Sequence, residues 1–296
     1  MVKDVAPDLF NDIEKSFERR MEGDSTVQRI EARIKAGKAT QADMSTYASK
    51  VGIHTGGAFK EVLTPGNLPD GKLYWNIAER TIAPRLEEDH ALVLDRAKKT
   101  QEALNKKAGI GIKPPDTKLD PERVRGIMNM ATAEGADLSA VFGDPVTTVA
   151  RQMYDDFQYQ NADNCDKLGV NQVVVREYDG VGLHDGKDTC EWCESRAGTW
   201  TMDDAKQNGV FERHPGCGCV TTVEYKNGYR SDVWSKAMWK GNDPEERTKA
   251  IALARREQLE NMQRTAKGNR ERELFIRDQM FKGATANSAM KAWLSR

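Results

Sequence analysis

The sequence predicts an α+β protein that is predominantly α-helical, and three observations carry that expectation. Apolar residues recur at helical spacing through roughly the first 160 positions. Two β-branched runs, at 170–180 and 218–229, then break that rhythm. Between the runs lies a knot of cysteines with one histidine. The chain accordingly divides into a helical N-terminal body (1–164, with a linker near 108–118), a small cysteine-rich α+β module (165–228) and a helical basic tail (229–296).

The elements follow in order. Phe10, Ile13, Phe17 and Met21 share one helical face, as do Val27, Ile30 and Ile34, with Gly37 placed to end the second helix. Thr40 and Asp43 form a capping box ahead of the stripe Met44, Tyr47 and Val51. The Gly/Pro-rich segment 54–72 reads as a loop, and a long helix is expected from about 73 to 107, carrying Trp75, Ala78, Ile82 and Leu86. "GIGIKPPD" at 109–116 is the clearest linker. Asp120-Pro121 and Asp144-Pro145 each set an N-cap residue before a proline suited to the first helical turn. Val124, Ile127, Met128 and Ala131 line the first of these helices, and Val149, Met153 and Phe157 the second.

Totals bound the class. A chain of 296 residues exceeds one comfortable core, so two or three units are expected. Charged residues at 31% against 38% hydrophobic point to a soluble protein with much exposed helix. No apolar run approaches the roughly 18 residues of a membrane helix. The opening "MVKDVAPDLFNDIEKSFERR" carries acids and lacks the apolar stretch of a targeting peptide. An intracellular, reducing origin is expected, and five cysteines, an odd number, then argue against a disulfide framework. Net charge is −1, but residues 226–296 carry 16 Lys+Arg against 9 Asp+Glu, a net of +7. That surplus suits an acidic partner or nucleic acid, or simply a solvated helical face.

Four of the five cysteines and one histidine fall within thirty residues. Cys190 and Cys193 form C-x-x-C; His214, Cys217 and Cys219 form H-P-x-C-x-C after a gap of 20. Two such knuckles can complete a tetrahedral zinc site, and Cys217 and Cys219 at i, i+2 would face one way on a strand. Five residues compete for four positions: Cys190 and Cys193, plus two among His214, Cys217 and Cys219. Excess ligands suggest a closed, structural zinc site rather than a catalytic one with an open position. A module of about 60 residues with a thin apolar core would gain folding free energy from such a staple, giving a zinc-stapled α+β module. Trp192 and Trp200 are expected to pack over it, and Cys165 to be an ordinary buried thiol. A thioredoxin-like redox pair and plain buried cysteines are the competing readings.

Taken together, a strand, "GKDTCEWCESRAGT" and "RHPGCGC" leading into a second strand resemble the phage Mu F-like minor head protein family. The resemblance covers about 60 residues. Gly218 departs from it, where an arginine is common between the last two cysteines. What the resemblance implies is a structural, non-enzymatic role: a minor capsid or head morphogenesis protein at or near the portal vertex, inside the head of a tailed bacteriophage and made in the host cytoplasm. Its partners would be the portal protein or major capsid protein, with packaged DNA reached through the basic tail, and no membrane or small-molecule substrate. Phe275, Met280, Phe281, Trp293 and Leu294 would anchor that tail.

Two other classes compete. A zinc-stabilised HNH-type nuclease could use His184 and Asp185, but it needs a further metal-binding histidine on a following helix, whereas His54 and His90 lie far back in the helical body. A zinc-dependent DNA-binding protein would cluster its basic residues. Here Arg255, Arg256, Arg264, Arg270, Arg272 and Arg277 are interleaved with Glu257, Glu260, Glu271 and Glu273.

Overall fold

The computed structural model describes residues 4–178 and 190–229, with the single positions Phe275, Ala292 and Ser295. The His184-Asp185 pair, the tail arginines and the anchors Met280, Phe281, Trp293 and Leu294 lie outside the described residues. Predominantly helical α+β architecture is what the chain has: α1 (Ala6–Gly23), α2 (Ser25–Lys35), α3 (Gln41–Val62), α4 (Trp75–Ala108), α5 (Pro121–Thr132), α6 (Leu138–Val141) and α7 (Asp144–Lys167) lead into β1 (Val170–Glu177), α8 (Glu191–Glu194), β2 (Gly198–Trp200), α9 (Met202–Gln207) and β3 (Val220–Tyr229). Residues 1–230 form one compact unit, and α7 runs without a break across position 164.

The helical body is built on the stripes that the sequence displays. Ile13, Phe17, Val27, Ile30, Met44, Tyr47, Val51, Ile127 and Phe157 are all buried in one apolar core. Each such side chain is worth about 1.5–3 kcal/mol on burial. The Thr40/Asp43 capping box is present in both directions, and Asp120 caps α5 through the Glu122 amide. Asp144 differs from expectation: it is already helical, Gly143 takes the cap position, and no side chain caps the helix. Trp75 also departs, being 40% exposed, while Ile77 takes the buried place at the start of α4.

The largest correction concerns the stretch expected as a loop from 54 to 72. Helix α3 continues to Val62, carrying Gly52, Gly56 and Gly57 within it. A Cβ on Gly56 would stand 2.1 Å from the Phe142 carbonyl oxygen, and one on Gly52 would stand 2.6 Å from the Thr147 Cα. These two glycines let α3 approach the α6–α7 segment at backbone distance. Their reason is packing, not a turn.

One ionic cluster is sunk in the body. Asp89, fully buried, accepts from Thr55 Oγ1 at 2.7 Å and from Arg85 Nη2 at 3.0 Å. Glu14 and Glu88 share the same guanidinium, which also lies 4.2 Å over the Phe17 ring. Burial pushes the Asp89 carboxyl up to about 7 against the pull of Arg85.

The sheet is small and wholly antiparallel, in the order β2-β1-β3, with Val174 opposite both Trp200 and Val223. Both expected strands form, and β2 joins them as a three-residue edge. Side chains of β1 alternate so that Val170, Gln172, Val174 and Arg176 point inward. Among the described residues the module's apolar core is Val174, Met202, Ala205, Val210, Phe211 and Val223, closed by Ala162 of α7. Polar bonds fasten it to the body. The Gln41 amide pairs with both the N–H and C=O of Val223 (2.6 and 2.9 Å), as a neighbouring strand would, and the Tyr225 hydroxyl receives Gln101 at 2.7 Å.

Candidate metal centre

The cysteine-rich segments are shaped by short local devices. Cys190 caps the single turn of α8, and the i, i+3 spacing brings Cys193 round to the same side. Tyr178 fixes this turn by accepting the Cys190 amide at 2.8 Å. On the second segment, His214-Pro215-Gly216-Cys217 closes a turn through a Cys217 N–H to His214 C=O bond of 3.1 Å. Proline at the second position and Gly216 at φ +76° are what a type II turn requires.

These turns bring all five candidate ligands into one cluster that could hold a metal ion. Cys190, Cys193 and His214 form one close group, and Cys193, Cys217 and Cys219 another, each with its ligand atoms within 4.8 Å; Cys193 belongs to both. His214 Nε2 stands 2.9 Å from the Cys193 sulfur and 3.3 Å from that of Cys190, and the Cys193 and Cys217 sulfurs are 3.6 Å apart. His214 Nδ1 lies 2.8 Å from the Pro215 carbonyl, which can only accept. Nδ1 can donate there, which leaves Nε2 as the ring atom turned to the sulfurs and the one that would ligate a metal. All four cysteines are free thiols and buried.

Electrostatics around the sulfurs are uneven. A hydrogen bond from Cys219, helped by the charges of Arg213 and Arg176, outweighs burial and draws the Cys217 thiol well below its usual range. Burial, together with the nearby Cys217, pushes Cys193 up. Trp192 closes one side, its ring 5.2 Å edge-on to His214 and 3.9 Å beneath the Arg196 guanidinium. Trp200, expected over the same site, instead packs with the sheet core and donates its indole N–H to Arg196 O. Cys217 and Cys219 also precede β3 rather than lying on it; the turn, not strand alternation, aligns them. Cys165 is a buried thiol away from the cluster, as expected.

Sequence reasoning missed the arginines. Arg151 on α7 donates to the carbonyls of Cys217 and Gly218, the latter at 3.2 Å. Arg213 donates to Cys219 O at 2.7 Å and forks onto the buried Asp155. Arg176 reaches the Cys217 sulfur at 3.4 Å. One signal was present in the sequence: Arg176 shares the alternating face of Val170 and Val174, where a charge must have a buried partner.

Comparison with known proteins adds no relative: no protein-family model matches the chain, no curated protein matches it, and neither does any solved structure. Among the described residues no helix is long and apolar enough to cross a membrane.

Proposed function

We propose that the cluster binds one structural zinc ion, and that the chain is a non-enzymatic minor capsid protein of the phage Mu F-like kind, acting in head assembly. The observation that carries this reading is the convergence of the C-x-x-C and H-P-x-C-x-C segments into one buried cluster. Zinc ligands about 2.3 Å from the metal stand roughly 3.8 Å apart in a tetrahedron, close to the 3.6 Å between Cys193 and Cys217. Cys190 and Cys193 would hold the ion with two of His214, Cys217 and Cys219. The zinc would supply folding free energy by crosslinking the two turns. More ligands than positions leave no place for an activated water, which favours a structural over a catalytic role.

The family resemblance supplies the setting: the interior of a phage head near the portal vertex, with portal or major capsid protein as partner and DNA within reach of the basic tail. Two measurements test the metal and its setting in turn. Protein purified without added metal should contain close to one zinc per chain. Co-expressed with its cognate portal and major capsid proteins, the chain should enter purified particles, as read by mass spectrometry, and a chain lacking residues 244–296 should not. Plasmid cleavage with magnesium, manganese or zinc that His184→Ala abolishes would favour the nuclease instead.

A further inference from the structure

Arg176 is 2% exposed and permanently charged. Its Nη1 donates to the carbonyls of Val210 and Glu212, its Nη2 to the Cys217 sulfur at 3.4 Å, and its Nε to nothing. Among the described residues no carboxylate forms an ion pair with it. A buried guanidinium whose hydrogen bonds go to carbonyls and a sulfur is costly, because the lost hydration is not replaced by a paired opposite charge. Its guanidinium carbon lies 5.3 Å over the Trp192 ring, and its charge is felt by the buried Asp155 carboxyl without an ion pair between them. The centre that it touches directly, and that metal binding would make anionic, is the sulfur cluster. Arg213, with its side chain 1% exposed, has Nη1 3.8 Å from the same Cys217 sulfur, while its other edge is held by Asp155 on α7.

Any four ligands drawn from the cluster include at least three thiolates, so a divalent ion leaves the buried site with net negative charge. Two guanidiniums at one sulfur answer that excess. We propose that Arg176 and Arg213 are the charge-compensating residues of the metal knuckle. Neither touches the metal; both set their charge at the Cys217 sulfur, against the net negative charge of the cluster. This rests on the metal reading above and extends it to residues that are not ligands.

The test replaces the charge and leaves the ligands alone. Arg176→Met keeps the aliphatic stem, Arg176→Lys keeps the charge, and both are compared with the full-length wild type. Zinc affinity is measured by competition with a chromophoric chelator, and the cobalt-substituted protein gives the thiolate-to-metal absorption. Arg176→Met should bind zinc about 10-fold to 100-fold more weakly, Arg176→Lys should recover most of the loss, and the cobalt spectrum should keep its shape in both. A folded Arg176→Met protein with wild-type affinity overturns the inference. So does a lysine variant as weak as the methionine one, because geometry rather than charge would then be at issue. Should Arg176→Met fail to fold, Arg176→Gln, which retains a donor for the carbonyls without the charge, is read in the same way. Wild-type protein that takes up no metal sinks the metal reading itself, and this inference with it; equal binding by all variants sinks this inference alone.

Discussion

The helical body and the sheet module solve the same problem with different materials. The body surrounds its Arg85–Asp89 pair with a continuous apolar core drawn from α1 to α5 and α7. Among the described residues only six apolar side chains of the module, joined by Ala162 of α7, form its core, and beside them it buries five thiols and two arginines. Burial can stabilise the body unaided, since each large side chain contributes about 1.5–3 kcal/mol. The module has too little apolar surface for that, which is where a metal crosslink would matter most. The difference teaches that cysteine density marks a region whose packing is insufficient by itself.

The widest gap between the regions should appear on metal removal. With a chelator present, or in Cys193→Ser, the module should become sensitive to proteases between residues 165 and 229 while the far-ultraviolet helical signal largely persists. Cys193 is the sharpest choice because it belongs to both close groups. Cys165→Ser, outside the cluster, should leave metal content unchanged. Global unfolding on chelation would show that the body depends on the module, and the contrast would fail.

Within the body, two neighbouring glycines should behave oppositely. Gly56→Ala sets a methyl 2.1 Å from the Phe142 carbonyl, backbone that cannot swing aside, and should cost about 1–3 kcal/mol or more. At Gly57 the nearest atom is 2.8 Å away but belongs to the flexible Arg20 guanidinium. There alanine should gain up to about 1 kcal/mol in helix propensity. Denaturant melts of both variants decide it. Equal effects would mean that α3 and the α6–α7 segment do not pack at backbone distance.

Those glycines also show where the sequence could and could not be read. Stripes such as Ile13/Phe17/Met21 and Val124/Ile127/Met128 gave their helices directly, because burial on one face leaves a period. The five metal-type residues were legible for a similar reason: their spacing reflects turn geometry. Gly56 and Gly57 misled, since one residue type serves both turns and close helix contacts, and only the partner helix distinguishes them. Strand β2 is three residues long, too short to carry a pattern. Asp155 sits on the buried side of α7, and nothing near it in sequence hints at Arg213, 58 residues away. Long-range charge pairing leaves no local trace.

The joint between the two regions offers a smaller test. Gln41 gives β3 a side-chain substitute for a neighbouring strand, bonding both backbone groups of Val223. Gln41→Leu would leave an N–H and a C=O partly buried without partners, at a cost of about 1–3 kcal/mol. The loss should fall on the module. Amide exchange of Val223 should quicken in the metal-loaded protein, while that of Val51 and Ile82 in the body core stays slow. Slow exchange at Val223 would mean that β1 alone secures β3.

Acidity should move the two regions in opposite directions. Asp89 has a carboxyl raised from 3.8 to about 7 by burial. It faces Thr55 from α3, Arg85 and Glu88 from its own helix, and Glu14 from α1, whose carboxyl burial also raises. A raised acid holds a proton in the fold that the unfolded chain has released. Its contribution is therefore full below about pH 4 and is lost as pH rises towards 7. His90 works against this, because burial lowers its pKa and acid disfavours the fold there. Comparing wild type with Asp89→Asn cancels the histidine. Between pH 5 and 8 the wild-type body should lose roughly 2–3 kcal/mol relative to the variant, read as a lower melting midpoint. The lowered acids Glu61, Asp43 and Asp95 do not interfere, since their windows lie below about pH 4.5. The module should respond the other way, because protons compete with metal for thiolates and a metal ion bound by the cluster would be held less tightly at pH 5 than at 8. Melting curves at both pH values, with and without chelator, separate the two responses. A body whose stability relative to Asp89→Asn stays constant between pH 5 and 8 would show that Asp89 is ionised throughout, held as a plain ion pair by Arg85.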